Sequence, residues 1–342
     1  MSTTQSHRAA VLGAGSWGTA LAVHLGHVGH DVALWGRDRQ LLSDMAARRV
    51  NQTYLPDVSF PAPLRPVESL SDALEHARHV IVAVPSHGLR TVVRSAVPHL
   101  PAGALLVSAT KGIETDSLQR MSEVLREETE GRHPVVVLSG PSFALEVARQ
   151  LPTALVAASD DADAELAVQA EFRGPSFRLY ASNDVAGVEV GAALKNVIAI
   201  AAGVVESLGL GHNAMSALIT RGLAEISRLA CAMGGRRETL AGLSGLGDLV
   251  LTCTGSLSRN RRVGLELGKG RSLEEVLSNM KMVAEGVRTT EAALALGERH
   301  GVELPIAARM ADVLAGRQTP KAAVGELMIR RQRGELEGAS AE

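Results

Sequence analysis

Aromatic residues make up only 2% of this 342-residue chain, and cysteine occurs twice. With so few rings, the interior has to be filled by small and aliphatic side chains. The 46% hydrophobic content and 34 glycines fit Ala- and Gly-rich helices packed closely on a sheet. Cys231 and Cys253 lack metal-type spacing, which excludes a cysteine-based metal module and leaves reduced, structural thiols in the cytoplasm as the expectation. An excess of either charge is also missing. Lys plus Arg number 35 and Asp plus Glu 37, a net of −2, so bulk charge argues against nucleic acid or a membrane surface as partner. The N-terminus, MSTTQSHR, has no apolar core that would target the chain elsewhere. The uncharged run from Val197 to Val205 is far too short to span a bilayer, so no membrane insertion is expected. There is no repeat and no low-complexity tract, only a polar tail after about Arg330. The eleven histidines show no ligand spacing, and no metal is expected. His24, His27 and His30 straddle the first helical segment and are expected at the surface.

What is present organises around Glu189 to Gly211, EVGAALKNVIAIAAGVVESLGLG. Its apolar positions recur at helical spacing, as in a core helix. Lys195 and Asn196 stand at the head of its most apolar part. Such a lysine either snorkels, with its ammonium in water, or lies partly desolvated in a cleft, where its pKa falls and it can exchange protons.

Earlier in the chain, Ala9–Leu12 is strand-like and runs into Gly13-Ala14-Gly15-Ser16-Trp17-Gly18. Thr19–Val28 is helical in pattern and Asp31–Trp35 is a second strand. Strand, GxGxxG, helix and strand in this order form the dinucleotide-binding fingerprint in its proper context. Gly13 permits the turn, Gly15 the approach of the pyrophosphate, and Gly18 the packing of helix on strand. The second strand ends in Arg37-Asp38 rather than directly in an acid, so the reading leans to NADPH without excluding NADH.

Three more strands are expected at His79–Val84, Ala104–Ser108 and Val135–Leu138. Leu155–Ala158 and Phe177–Tyr180 are read as further edge strands flanking a helix at Asp161–Phe172. The strand ends carry Pro85-Ser86-His87, Thr110-Lys111-Gly112 and Ser139-Gly140-Pro141-Ser142-Phe143-Ala144. In an open sheet of this kind ligands bind at the carboxyl ends of the strands, which makes Lys111 a candidate ligand residue. From about Asn183 strand patterns stop and helical ones follow: Ala214–Met233, Arg271–Asn279, Thr289–Arg299 and Pro305–Ala315. Between them lies a Gly- and Ser-rich piece holding Asp248 and the run Ser258-Arg259-Asn260-Arg261-Arg262. With three guanidinium groups, that run reads as a phosphate cradle or as a basic solvated turn.

The blocks GAGSWGTALA, VPSHGLR, TKGIE, LSGPSFALEVA, EVGAALKNVIAIAAG, GLSGLGDLVLTCTGSLSRNRRVG, AEGVRTTEA and ELPI, in this order, closely resemble bacterial-type NAD(P)-dependent glycerol-3-phosphate dehydrogenase. The resemblance runs from about Arg8 to Arg330. It implies an α/β N-terminal Rossmann domain with a doubly wound, mostly parallel sheet (1–188), followed by an all-α C-terminal domain (189–342). It also implies interconversion of dihydroxyacetone phosphate and sn-glycerol 3-phosphate, feeding phospholipid synthesis, and a homodimer. By matching motif, Lys195 would be the acid/base group, held by Asp248 and Thr252. Lys111, Gly140, Ser142, Ser258, Arg259 and Asn260 would surround the substrate, with Arg259 and Asn260 nearest its phosphate. Ser16, Trp17, Arg37, Lys111, Ala144, Arg259, Val283 and Glu285 would contact NADPH or NADH. Two rival readings are a dehydrogenase of the same plan acting on another substrate, and a silent dinucleotide-binding protein. The Ser258-Arg259-Asn260 run counts against the first, and Lys195 with Asp248 against the second.

Overall fold

The computed structural model describes residues 6–280 and 283–331. The extreme N-terminus and the polar tail beyond residue 331 lie outside these. The described residues form ten strands: β1 (Arg8–Leu12), β2 (Asp31–Trp35), β3 (Val50–Asn51), β4 (Leu55–Ser59), β5 (Leu64–Val67), β6 (His79–Val82), β7 (Leu105–Ser108), β8 (Val135–Ser139), β9 (Thr153–Ala158) and β10 (Phe177–Ser182). Eight of them form one sheet in the order β10-β9-β8-β7-β6-β1-β2-β5. Every pairing in that sheet is parallel except β8 with β9.

The pleat sends alternate residues of β1 to opposite faces. Ala9 and Val11 join the apolar core on one side, Ala10 and Leu12 the core on the other. Both faces are covered by helices, so the strands read as continuous apolar runs. The chain leaves β1 for β2 on one side and later returns to β6 on its other side. That reversal opens a crevice beyond the carboxyl ends of β1 and β6.

Strands β3, β4 and β5 were not legible in the sequence. β3 and β4 form a separate antiparallel pair. β5 is an edge strand carrying Arg65 and Pro66, residues that suit an edge and mask its apolar pattern.

After β10 the chain enters a helix of 23 residues, Val185–Ser207. Asp184 caps it, its Oδ1 accepting from the Gly187 N–H at 2.8 Å. This is one helix among the described residues long and apolar enough to cross a membrane, and its most apolar window is buried entirely inside the protein. It is longer than the uncharged run because Glu189 and Lys195 are buried within it. Helices Gly211–Ala232, Asp248–Thr254, Arg259–Gly268 and Glu285–Arg299 pack around it. The closest approach is made by paired glycines: a Cβ on Gly203 would lie 2.0 Å from the Arg261 carbonyl oxygen, and one on Gly264 1.9 Å from that of Ile200. Buried Glu189 ties this core helix to the sheet domain. It accepts from Arg120 Nη1 at 2.8 Å, from the Ser122 N–H at 2.8 Å and from Ser122 Oγ at 2.6 Å. The four later helical segments appear as Gly211–Ala232, Leu273–Ser278, Glu285–Arg299 and Pro305–Leu314.

The histidines require a correction. His27 is exposed, but His24 and His30 are buried. The chain around Phe172 closes over them, with Gly174 so near the His24 ring that a Cβ there would lie 3.0 Å from it. His24 Nε2 donates to the Phe172 carbonyl at 2.7 Å, and His30 Nε2 to that of Glu171 at 2.8 Å. His79, fully buried at the start of β6, bonds the Glu171 carboxylate through Nε2, and Arg78 Nη2 donates to Oε1 of the same acid at 2.9 Å. Among the described residues no group of three or more His, Cys, Asp or Glu side chains is placed to hold a metal.

Burial pushes both His24 and His79 down to about 4. An unfolded histidine protonates near 6.5, so the unfolded chain takes up protons first as pH falls. Folding stability is therefore expected to decline between pH 6.5 and about 4, by up to about 3 kcal/mol for each histidine. Urea unfolding of the protein and of His24→Gln across that range checks this. The variant should show a shallower decline, and an equal slope would contradict the assignment.

Candidate active site

The turn after β1 is built for a phosphate-bearing ligand. Gly13 adopts φ +125°, and a Cβ there would sit 2.6 Å from the Ala83 carbonyl oxygen. Gly18 lies behind the turn, where a Cβ would meet the Gly13 carbonyl oxygen at 1.8 Å. On Gly15 a Cβ would touch nothing within 4 Å, so the cradle is open on that side. The helix Ser16–His27 begins here with its N-terminus toward the opening, the arrangement that favours a pyrophosphate. Trp17 Nε1 is a buried donor without a hydrogen-bond partner among the described residues.

This turn forms one end of a cleft of about 720 Å³ between sheet and helical domains. Gly13, Gly15, Ser16, Trp17, Arg37, Lys111, Ser142 and Ala144 line it from the sheet side. Lys195, Thr252, Ser258, Arg259, Asn260, Val283 and Glu285 line it from the helical side. Of the remaining candidates, Gly18 supports the turn, Gly140 offers its carbonyl to Lys111, and Asp248 lies between the two lysines.

Lys195 is 6% exposed and Asp248 1%. One Asp248 oxygen, Oδ1, accepts from Lys195 Nζ; the other, Oδ2, accepts from Lys111 Nζ at 2.7 Å. Lys195 Nζ also donates to Thr252 Oγ1 at 2.9 Å, and that hydroxyl donates to the Asp248 carbonyl at 2.6 Å. Lys111 Nζ donates further to the Gly140 carbonyl at 2.9 Å. One carboxylate thus joins two ammonium groups, one from each domain. Burial is the largest influence on Lys195 and lowers its pKa; Asp248 opposes and Lys111 adds to it, leaving the ammonium at about 7. Of the two readings of this lysine, the geometry is that of a desolvated group in a cleft.

Ser258 caps the helix Arg259–Gly268, its Oγ accepting from the Arg261 N–H at 3.2 Å. Arg259 and Asn260 therefore stand on its first turn, at the positive end of the helix dipole. Asn260 Nδ2 donates to Asn196 Oδ1 at 2.9 Å, and its Oδ1 accepts from the Gly286 N–H at 2.9 Å. Arg259 is pushed below its ordinary value by burial, against the pull of Glu285. The other two arginines of the run do not reach the cleft. Arg261, two residues along the helix and so turned to the opposite side from Arg259, pairs with Glu206 at 2.5 Å, and Arg262 is exposed.

Some lining residues had no assigned role in the sequence reading. Asn196 fixes Asn260, and its only signal was its place beside Lys195. Tyr54 lines the cleft from the unrecognised β3–β4 turn. Ser86 meets Glu285 across the domains, donating Oγ to Oε2 at 2.6 Å and N–H to Oε1 at 3.2 Å.

Two family models match the chain: the N-terminal part of NAD-dependent glycerol-3-phosphate dehydrogenase over residues 8–165, and its C-terminal part over residues 184–325. The chain belongs to this family. It is similar to a protein of Koribacter versatilis named glycerol-3-phosphate dehydrogenase [NAD(P)+], with 53% identity over 94% of this chain and 97% of that one. A protein of the same name from Syntrophotalea carbinolica is 51% identical over 96% and 99% of the two chains. A crystal structure of glycerol-3-phosphate dehydrogenase from Coxiella burnetii superposes with a TM-score of 0.92 at 41% identity, covering 95% of this chain and 99% of that one. As a member of the glycerol-3-phosphate dehydrogenase family, the chain is an NAD(P)-dependent oxidoreductase, and the open cradle after β1 fits that cofactor.

The Lys195–Asp248–Lys111 bridge makes opposite predictions for two substitutions. Lys111→Met removes a depressing charge, so the Lys195 midpoint should rise above about 7. Asp248→Asn removes the supporting charge, so it should fall. Mass-spectrometric tracking of amine acylation at Lys195 against pH reads the midpoint, and shifts of the same sign in both variants would overturn this account.

Proposed function

We propose that this protein interconverts dihydroxyacetone phosphate and sn-glycerol 3-phosphate, with Lys195 as the acid/base group. The observation that carries the role is a buried ammonium at about 7, bridged by Asp248 and opening on the cleft that begins at the dinucleotide turn. When bound, NADPH or NADH supplies the hydride. Gly13, Gly15, Ser16, Trp17, Gly18 and Arg37 would hold it from the sheet side, with Lys111, Ala144, Arg259, Val283 and Glu285 closing the site. Arg37 at the end of β2 supports a lean to NADPH.

In the direction of reduction, Lys195 gives a proton to the ketone oxygen as that oxygen becomes a hydroxyl. Asp248 and Thr252 orient the ammonium, and Lys111 keeps its pKa close to working pH. Lys111, Gly140, Ser142 and Ser258 surround the reacting end and its phosphate. Arg259 and Asn260, on a helix N-terminus, take the phosphate itself. Asn260 has both ends of its amide engaged by Asn196 and Gly286, so one remaining N–H points the residue toward a single acceptor. Binding energy from the phosphate, remote from the reacting carbon, orients the carbonyl.

Residues 1–188 form the dinucleotide-binding domain and 189–342 the substrate and catalytic domain that carries Lys195, Arg259 and Asn260, with residues of each reaching into the other's site. A cytoplasmic enzyme that supplies phospholipid synthesis is the matching setting, and the two free cysteines support a reducing compartment. Homodimer formation rests on the family resemblance alone.

The test is NADPH oxidation by purified protein with dihydroxyacetone phosphate, with NADH run in parallel. Turnover is expected, with kcat/KM for reduction declining as pH rises above about 7, because the required ammonium form is lost. Lys195→Met should lower kcat by roughly 10²–10⁴-fold while cofactor binding persists. Cofactor binding without turnover in the unsubstituted protein would favour the silent binder instead.

A further inference from the structure

We infer that a second cleft, on the seam between the two domains and apart from the one that holds Lys195, binds a small organic carboxylate through Arg299. Its volume is about 370 Å³, in the lower part of the range of small-molecule sites, roughly 300–1,000 Å³. None of its lining residues lines the cleft of Lys195, and the inference does not depend on the reaction proposed above. The sheet domain supplies one wall from the loop between β7 and the helix Met121–Glu128. In that loop Ile113 and Arg120 pair in an antiparallel bridge, and the Leu118 N–H donates to the Glu114 carbonyl at 2.9 Å. Leu118 takes φ +61°, a conformation that an L residue with a side chain holds only at a cost, and it packs against the apolar core of the helical domain. The helical domain supplies the other wall. Met233 stands at the end of the helix Gly211–Ala232, and Leu296, Arg299 and His300 at the end of the helix Glu285–Arg299.

The two arginines of this cleft differ in what they can offer an anion. Arg120 is already engaged: Nη1 donates to buried Glu189 at 2.8 Å and Nη2 to Glu123 Oε1 at 2.6 Å. Glu123 Oε2 in turn accepts the Arg120 N–H at 2.8 Å, so Arg120 and Glu123 offset each other on the wall. Arg299 is exposed, and among the described residues its side chain makes no hydrogen bond and no ion pair. The end of its own helix does not supply a counter-charge either. The carbonyls of Leu296, Gly297 and Glu298 accept from the N–H groups of His300, Val302 and Gly301 at 3.0, 2.8 and 3.2 Å. A guanidinium carries donors in a fixed fork that matches a carboxylate with two parallel bonds. Leu118, Met233 and buried Leu296 share the lining with it and offer an apolar surface to the body of a ligand. One unmatched positive charge in the wall fits one negative charge on the occupant, which favours a monocarboxylate with a short apolar chain.

The experiment is hydrogen–deuterium exchange of the full chain, read by mass spectrometry, during titration with hexanoate and, separately, with hexan-1-ol at constant ionic strength. Hexanoate should slow exchange in the segments 114–123 and 296–302 together, since its two ends touch both walls, and hexan-1-ol should do so far less. Arg299→Ala should raise the hexanoate concentration for half-protection about tenfold. Arg299→Lys, which keeps the charge but loses the fork, should fall between the two. Arg299 makes no contact through its charged group, so both variants are expected to fold, and unchanged thermal unfolding checks this. No protection of either segment by hexanoate would overturn the inference. Equal protection by hexan-1-ol would overturn it too, by showing adsorption to the apolar lining alone, as would undiminished protection in Arg299→Ala.

Discussion

One carboxylate shared by two ammonium groups is the constraint on which the site depends. Like charges a few ångströms apart repel by several kcal/mol at the effective dielectric of a protein. Without Asp248, Lys111 and Lys195 would have no reason to meet. With it, each lysine takes one oxygen, and the two domains are joined through this bridge. Burial of Asp248 is tolerable because both its oxygens are paired. Burial of Lys195 is tolerable because its charge is supported but not fully stabilised, and that partial support leaves the proton transferable.

The fold supplies this arrangement from two directions. The sheet brings Lys111 and Gly140 to the carboxyl ends of β7 and β8, beside the turn that follows β1. The core helix brings Lys195, and its position is fixed by contacts away from the chemistry. Arg120 and Ser122 grip Glu189, six residues before Lys195, while the helix Arg259–Gly268 packs so tightly that Gly203 and Gly264 have no room for side chains. A lysine carried on an element this well held does not have the freedom to snorkel into water.

How much of this was legible in the sequence depended on whether the signal was local. The GxGxxG turn, the buried parallel strands and the long helices declare themselves through glycine spacing and apolar periodicity. Lys195 at the head of an apolar run announced a choice between two states, and only the partners on it, Asp248 and Thr252 from a distant helix, decide between them. β4 and β5 were missed because edge strands with proline and charge lack the parallel-strand pattern. His24 and His30 were misplaced because polarity suggested solvent, whereas backbone carbonyls at Phe172 and Glu171 accept their N–H groups inside. Arg261 shares a run with Arg259, yet a helix starting at that residue turns it to the other side, where it pairs with Glu206. Proximity in sequence was a poor guide there, since the periodicity of a helix separates neighbours by about 100°.

The same reasoning explains why the cleft carries its positive charge in two separate places. At the inner end, Lys195, Lys111 and Arg259 line the cleft together, and burial with the opposing pull of Asp248 leaves Lys195 at about 7. Arg37, elsewhere along the same cleft, is exposed and screened by water, so it holds charge at little cost. A cation whose pKa is to be lowered needs burial and a counter-charge; a cation that stays charged in water needs neither. The chain has placed each kind of cation where the solvent allows its task.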